Sequence, residues 1–287
     1  DVVEIGVPFS DPMADGATIQ RASFASLQGG FTLRWLLDEL EAMQPRPQAP
    51  VLLMSYLNPL LAFGLERLPE TARKAGVSGF IIPDLPYEEG ADMRAALDRV
   101  GIALVQMVTP VTPATRLRML CEASQGFVYA VTMTGTTGKS VAVPDEVLDY
   151  MDRVKSMSPV PVCAGFGIRT AEQVARMQGH VDGVVVGSAL VEVLERGEDP
   201  AQFLRRLRAV QQHHHAAPRA VDRLQRGGDR PRMRRVLRVE QVDDRQRLVD
   251  ADQRLDVGRD RPAHQREVRR VGELVAVNRH AHLRRVE

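Results

Sequence analysis

The sequence is poor in cysteine, has no long apolar run and, in its last quarter, lacks most residue types. Its two cysteines, Cys121 and Cys163, stand far apart, with no metal-binding or redox spacing. That excludes a disulfide framework and a zinc ribbon, and both read as buried, reduced core residues. No apolar stretch approaches the ~18 residues that a membrane-spanning helix needs. Positions 216–287 contain no Phe, Tyr, Trp, Ile, Ser, Thr, Cys or Lys. They carry 19 Arg against 12 acidic residues, a charge of +7 within a whole-chain charge of +1. Positions 1–215 are therefore mildly acidic, at −6, and without the basic stripe of a nucleic-acid binder. The chain also opens without methionine, on Asp1, directly in an apolar strand-like run.

What is present is an alternation. Short apolar or β-branched runs recur at Val2–Gly6, Val51–Ser55, Gly79–Asp84, Ala103–Thr109, Phe127–Thr132, Val160–Gly167 and Gly183–Ser188. Most are apolar nearly throughout, as expected of strands buried on both faces of a parallel sheet. Between them lie stretches of helical period, including Phe31–Met43, Leu65–Gly76, Glu88–Gly101, Thr112–Ser124 and Pro200–Gln211. Seven strand–helix units in order predict a parallel α/β fold. Functional-looking residues follow many of the strands, which favours a closed barrel over an open doubly wound sheet. Seven is one short of eight. The reading is thus a (β/α)8 TIM barrel, residues 1–212, lacking its first β/α unit. Residues 213–287 read as a low-complexity Arg/Asp/Val-rich tail, unstructured or translated out of frame. His213–His215 are consecutive and do not converge on one metal ion, so no metal site is expected.

The chemistry starts at "VEIGVPFSDPMADG" (Val3–Gly16). Glu4 falls at a strand's C-terminal end, where barrel enzymes keep catalytic groups. Burial among apolar neighbours is expected to raise its pKa, with Asp11 and Asp15 expected to add negative charge nearby, as a general acid/base near neutrality requires. Three glycine-rich turns follow later strands: "TGTTG" (Thr134–Gly138), "GFGI" (Gly165–Ile168) and "VGSA" (Val186–Ala189). Glycine lets backbone N–H groups approach an anion at a helix start, so the set predicts a phosphate ester. If Val2–Gly6 is the second strand of eight, the last two turns follow strands seven and eight, the usual phosphate cradle of such barrels.

These motifs, with "LLMSYLNPL", "AGVSGFIIPDLPYEE", "GFVYAVTMTGTTG" and "VDGVVVGSALV", resemble the tryptophan synthase α chain family from about Asp1 to Gln211. The resemblance implies a lyase that cleaves indole-3-glycerol phosphate to indole and glyceraldehyde 3-phosphate. It implies no cofactor in this chain, pyridoxal phosphate residing in a partner β subunit, an αββα heterotetramer and a cytoplasmic location. By the same resemblance Glu4 is the catalytic acid/base and Asp15 accepts the indole N–H. Tyr129 lines the site, and Thr137 belongs to a loop that closes over substrate. Gly138, Gly167, Gly187 and Ser188 bind phosphate, and Pro8 and Asp11 face the β subunit. The alternatives are a free-standing lyase of the same substrate, a non-catalytic activating partner and an inactive fragment.

Overall fold

In the computed structural model, residues 2–132 and 143–208 are described in full, and 209 and 274–277 as backbone. The first strand, β1 (Val2–Gly6), is followed by α1 (Ala17–Gln28) and α2 (Leu33–Ala42). Next come β2 (Val51–Met54), α3 (Leu57–Phe63) and α4 (Leu68–Lys74), then β3 (Val77–Ile81) and α5 (Ala91–Val100). β4 (Ala103–Val108), α6 (Ala114–Ala123), β5 (Val128–Val131) and α7 (Asp145–Met157) continue the alternation. β6 (Val162–Gly165), α8 (Ala171–Arg176), β7 (Gly183–Val186), α9 (Ser188–Glu195) and α10 (Pro200–Ala209) complete it. Each strand from β1 to β6 pairs in parallel with the next.

Period-2 alternation along these strands sorts side chains into two cores. Leu52, Ile81, Val105, Phe127, Tyr129, Val131, Cys163 and Val185 pack together inside the barrel. Their neighbours in sequence, among them Leu53, Phe80, Leu104, Val128, Val162 and Val184, pack outward against the helices. The helices meet that outer layer with apolar stripes. In α2, Leu33, Leu36, Leu37 and Leu40 are buried at helical spacing, and the Thr32 hydroxyl caps the start by accepting from the Trp35 N–H at 3.1 Å. Glycine 101, in the left-handed region at φ 73°, ends α5 and lets the chain turn directly into β4. Truncating the fully buried Leu37 to Ala would cost about 2–5 kcal/mol.

The barrel closes in an unanticipated way. Leu274–Val277, within the stretch expected to be unstructured, forms a strand, β8, between β1 and β7. It runs antiparallel to both, pairing with Val2–Ile5 on one side and with Val185 and Val186 on the other. The physical reason lies in the backbone: unpaired N–H and C=O groups on two facing edges favour an added strand, and "LVAV" is an apolar, β-branched run within an otherwise polar stretch. The rest of 210–287, with His213–His215, lies outside the described residues.

Candidate active site

Alternation along β1 turns Glu4 into the barrel, since Val2, two residues before it, packs against the interior cluster and Ile5, next to it, packs against the outer layer. It is 1% exposed, and its Oε2 has no hydrogen-bond partner among the described residues. Burial without a compensating charge disfavours the carboxylate, and the pKa is pushed up to about 8. Glu4 therefore holds its proton at neutral pH. Across the interior stands Tyr129, on β5, whose phenol is held well above its ordinary pKa by burial, then by Glu4 and then by Cys163. Cys163, on β6, is pushed up to about 12 by burial, with Asp182 and Glu4 adding to it. The cysteine is buried and free, as its sequence context indicated. It also faces the same interior as Glu4.

The Tyr129 ring is gripped on three sides. Phe127 lies at 6.4 Å between ring centroids, and Phe166 meets it edge-on at 5.9 Å. Gly165 leaves the space that the phenol occupies, since a Cβ there would sit 2.3 Å from the hydroxyl oxygen.

Asp15 lies in the loop between β1 and α1, half-buried. Burial raises its pKa, and a hydrogen bond from Tyr56 opposes the rise. Tyr56, just after β2, is a residue the sequence reading missed. Its hydroxyl also accepts from the Ala14 N–H at 2.9 Å, and its ring lies 5.5 Å from that of Phe9. The loop that carries Asp15 is thus pinned to the end of the neighbouring strand. Asp84, after β3, extends the tie by accepting from the Leu57 N–H at 2.8 Å. Pro8 is buried in the same loop, and Asp11 is exposed with its carboxylate accepting from the Ser10 hydroxyl.

The turns after β6 and β7 are neighbours, because those strands pair at Cys163–Gly183 and Ala164–Val184. Parallel strands put both turns at the barrel end that also carries Asp15. Gly167 is left-handed at φ 81°, and Phe166 at φ 74° is the one non-glycine residue of positive φ among the described residues. Gly187 caps α9, Ser188 is its first residue, and no side chain caps that helix. By contrast α8 is closed by a reciprocal box between Thr170 and Gln173. The open N–H groups of α9 are the ones suited to an anion. Thr137 and Gly138 lie outside the described residues. Among the described residues there is no cluster of His, Cys, Asp or Glu able to hold a metal ion, and no helix long and apolar enough to cross a membrane.

A buried protonated glutamate facing a tyrosine, with two glycine turns at the same barrel end, can bind a phosphorylated apolar substrate and move a proton within it. Comparison with known proteins names the family. Residues 1–219 match the family model described as the tryptophan synthase alpha chain. The chain belongs to the tryptophan synthase alpha chain family. It is 47% identical over 205 residues to the tryptophan synthase alpha chain of Bacillus thuringiensis strain Al Hakam, covering 71% of this chain and 80% of that protein. The Bacillus mycoides alpha chain is 51% identical over 195 residues, 68% of this chain and 75% of its own. Solved structures of the family agree in fold. One from the tryptophan synthase a2b2 complex of Pyrococcus furiosus superposes with a TM-score of 0.66 at 34% identity, covering 72% of this chain and 85% of that one. Another, tryptophan synthase from M. tuberculosis, gives a TM-score of 0.59 at 37% identity, covering 72% and 76%. The family and the barrel expected from the sequence motifs are therefore borne out.

Proposed function

We propose that this chain cleaves indole-3-glycerol phosphate by a retro-aldol reaction, with Glu4 as its general acid/base. The observation that carries the reading is the Glu4 carboxyl, buried in the barrel and protonated up to about pH 8. In the forward direction Glu4 gives its proton to C3 of the indole ring. The bond from C3 to the glycerol chain then breaks as the adjacent hydroxyl becomes an aldehyde, and the proton released from that hydroxyl returns to Glu4. Products are indole and glyceraldehyde 3-phosphate, and the acid ends in its starting form. Proton transfer by a positioned side chain contributes about 10²–10⁴ in rate, most efficiently when its pKa lies near the operating pH.

Asp15 takes the indole N–H and stabilises positive charge on the ring while C3 is protonated, with Tyr56 holding the loop in place. Tyr129 packs against the aromatic substrate. Gly167, Gly187 and Ser188 surround the phosphate, and Thr137 and Gly138, outside the described residues, are assigned to the same group by the family resemblance. The chemistry is proton transfer and needs no cofactor in this chain. Residues 1–212 carry the catalytic and binding residues of this reading, and from 213–287 it draws only on β8, which closes the barrel beside Glu4.

The partner is a β subunit carrying pyridoxal phosphate, in an αββα heterotetramer in the cytoplasm. The loop holding Pro8 and Asp11 faces it, with Asp11 exposed and Pro8 buried, and exposed Met13, Leu61 and Val111 in segments following β1, β2 and β4 offer apolar surface for such a contact. The test is indole release from indole-3-glycerol phosphate by the whole chain, with and without a β subunit. Release that disappears in Glu4→Gln supports the reading. A folded chain whose release is unchanged by that substitution contradicts it.

A further inference from the structure

Thr132, directly after β5, has no role in the account above. Its side chain is 7% exposed, and it is tied to the turn that follows the adjacent strand. The Thr132 N–H donates to the Gly165 carbonyl at 2.9 Å. Its hydroxyl lies 2.9 Å from the same carbonyl and also contacts the Phe166 carbonyl. One hydroxyl hydrogen is therefore shared between two successive carbonyls, and both point at β5.

That orientation fixes the other side of each peptide. In a planar trans peptide the N–H points opposite to the C=O, so the N–H groups of Phe166 and Gly167 both turn away from β5. Neither donates to a partner among the described residues. Two successive N–H groups on one side of a turn form a concavity that receives an anion. The conformation has a cost, because Phe166 is an L-residue in the left-handed region at φ 74°. Something must hold it there. Gln173 steadies the far side, with Nε2 donating to the Gly167 carbonyl at 3.4 Å, while Thr132 holds the near side.

We propose that Thr132 is a positioning residue for the phosphate end of the site, its hydroxyl holding the left-handed Phe166–Gly167 turn so that both N–H groups face the anion. The proposal rests on the phosphate-ester reading above. It adds a link between two parts of the pocket, since the Phe166 ring held by this turn packs edge-on against Tyr129.

Thr132→Val keeps the shape and removes the hydroxyl, whereas Thr132→Ser restores the hydroxyl. In the full chain Thr132→Val is expected to raise KM for indole-3-glycerol phosphate about tenfold, the loss of one hydrogen bond's worth of positioning. Its kcat stays within about twofold, and Thr132→Ser stays within about twofold in both. Binding of inorganic phosphate is followed by amide NMR. In the wild type the Phe166 and Gly167 amides shift on titration, and in Thr132→Val they respond only at about tenfold higher phosphate. The phosphate arm does not need turnover, so a chain that binds phosphate through this turn but releases no indole separates this proposal from the catalytic one. An unchanged KM and phosphate response in Thr132→Val overturns the proposal. So does an equal loss in Thr132→Ser. Should Thr132→Val not fold, Thr132→Ala serves in its place, and failure of both to fold, with Thr132→Ser behaving as wild type, assigns the hydroxyl to stability and overturns it as well.

Discussion

The Tyr129 ring fills the space that a side chain at Gly165 would take. The two residues sit on adjacent strands, and a Cβ on Gly165 would lie 2.3 Å from the phenol oxygen and 2.5 Å from the ring carbons. No atom there can yield cheaply, because Phe127 and Phe166 hold the ring on its other sides. Gly165→Ala is expected to destabilise the chain by about 1–3 kcal/mol through overpacking. Indole release should fall with it, as the ring is displaced toward Glu4. Urea unfolding of Gly165→Ala alone and combined with Tyr129→Val checks the cause. The account expects the second substitution to recover part of the stability, while two independent, additive losses would contradict it.

Glu4 makes stability depend on pH in a stated direction. Its carboxyl keeps a proton up to about pH 8 in the folded chain, against an ordinary value of 4.5. Between those limits the folded state binds more protons than the unfolded one, so the contribution of this group falls as pH rises. Glu4→Gln removes the titration while keeping the shape. Its stability advantage over the wild type is expected to be small near pH 4.5 and to grow to something on the order of 4 kcal/mol by pH 8. Denaturant melts at pH 5 and pH 8 measure it, and an advantage that does not change between the two pH values argues against a buried, protonated Glu4.

Tyr56→Phe removes the hydroxyl that receives the Ala14 N–H and contacts Asp15. The expected stability cost is about 0.5–1.5 kcal/mol. Indole release should drop several-fold because the Asp15 loop loses its tie to β2. Wild-type activity in this variant, measured under saturating and limiting substrate, would show that the loop is held by other means.

Much of this arrangement was legible in the sequence, for identifiable reasons. All seven parallel strands show as apolar runs because both of their faces are buried, and Glu4 stood out as the one charge inside such a run. The helices α2, α4, α5, α6 and α10 announce themselves through their period. Three helices did not. α1 (Ala17–Gln28) mixes small and polar residues, α3 (Leu57–Phe63) is short and contains Pro59, and α9 (Ser188–Glu195) is so apolar that it merges with the end of β7. Within the site, Asp15 and the glycine turns follow from strand ends and turn chemistry, whereas Glu4, expected at the end of a strand, is the middle residue of β1 and reaches the site by facing the barrel interior. Tyr56 and Thr132 do not follow in this way, and Gly165, named only as the start of the "GFGI" turn, shows its part in making room for Tyr129 only in the structure, since these parts depend on contacts between different strands. The hint available for Tyr56 was its position directly after a strand in "LLMSY". β8 escaped because a four-residue apolar run in a polar stretch reveals no partner.

The most direct test of the central claim, that a buried Glu4 acts first as an acid, is the pH dependence of kcat/KM for indole release between pH 6 and pH 10. This quantity reports the ionisation of the free enzyme. The account predicts a plateau below about pH 8, set by the Glu4 carboxyl, and above it a loss of about tenfold per pH unit. A profile that stays level through pH 9 would contradict it and move the proton donor to another group.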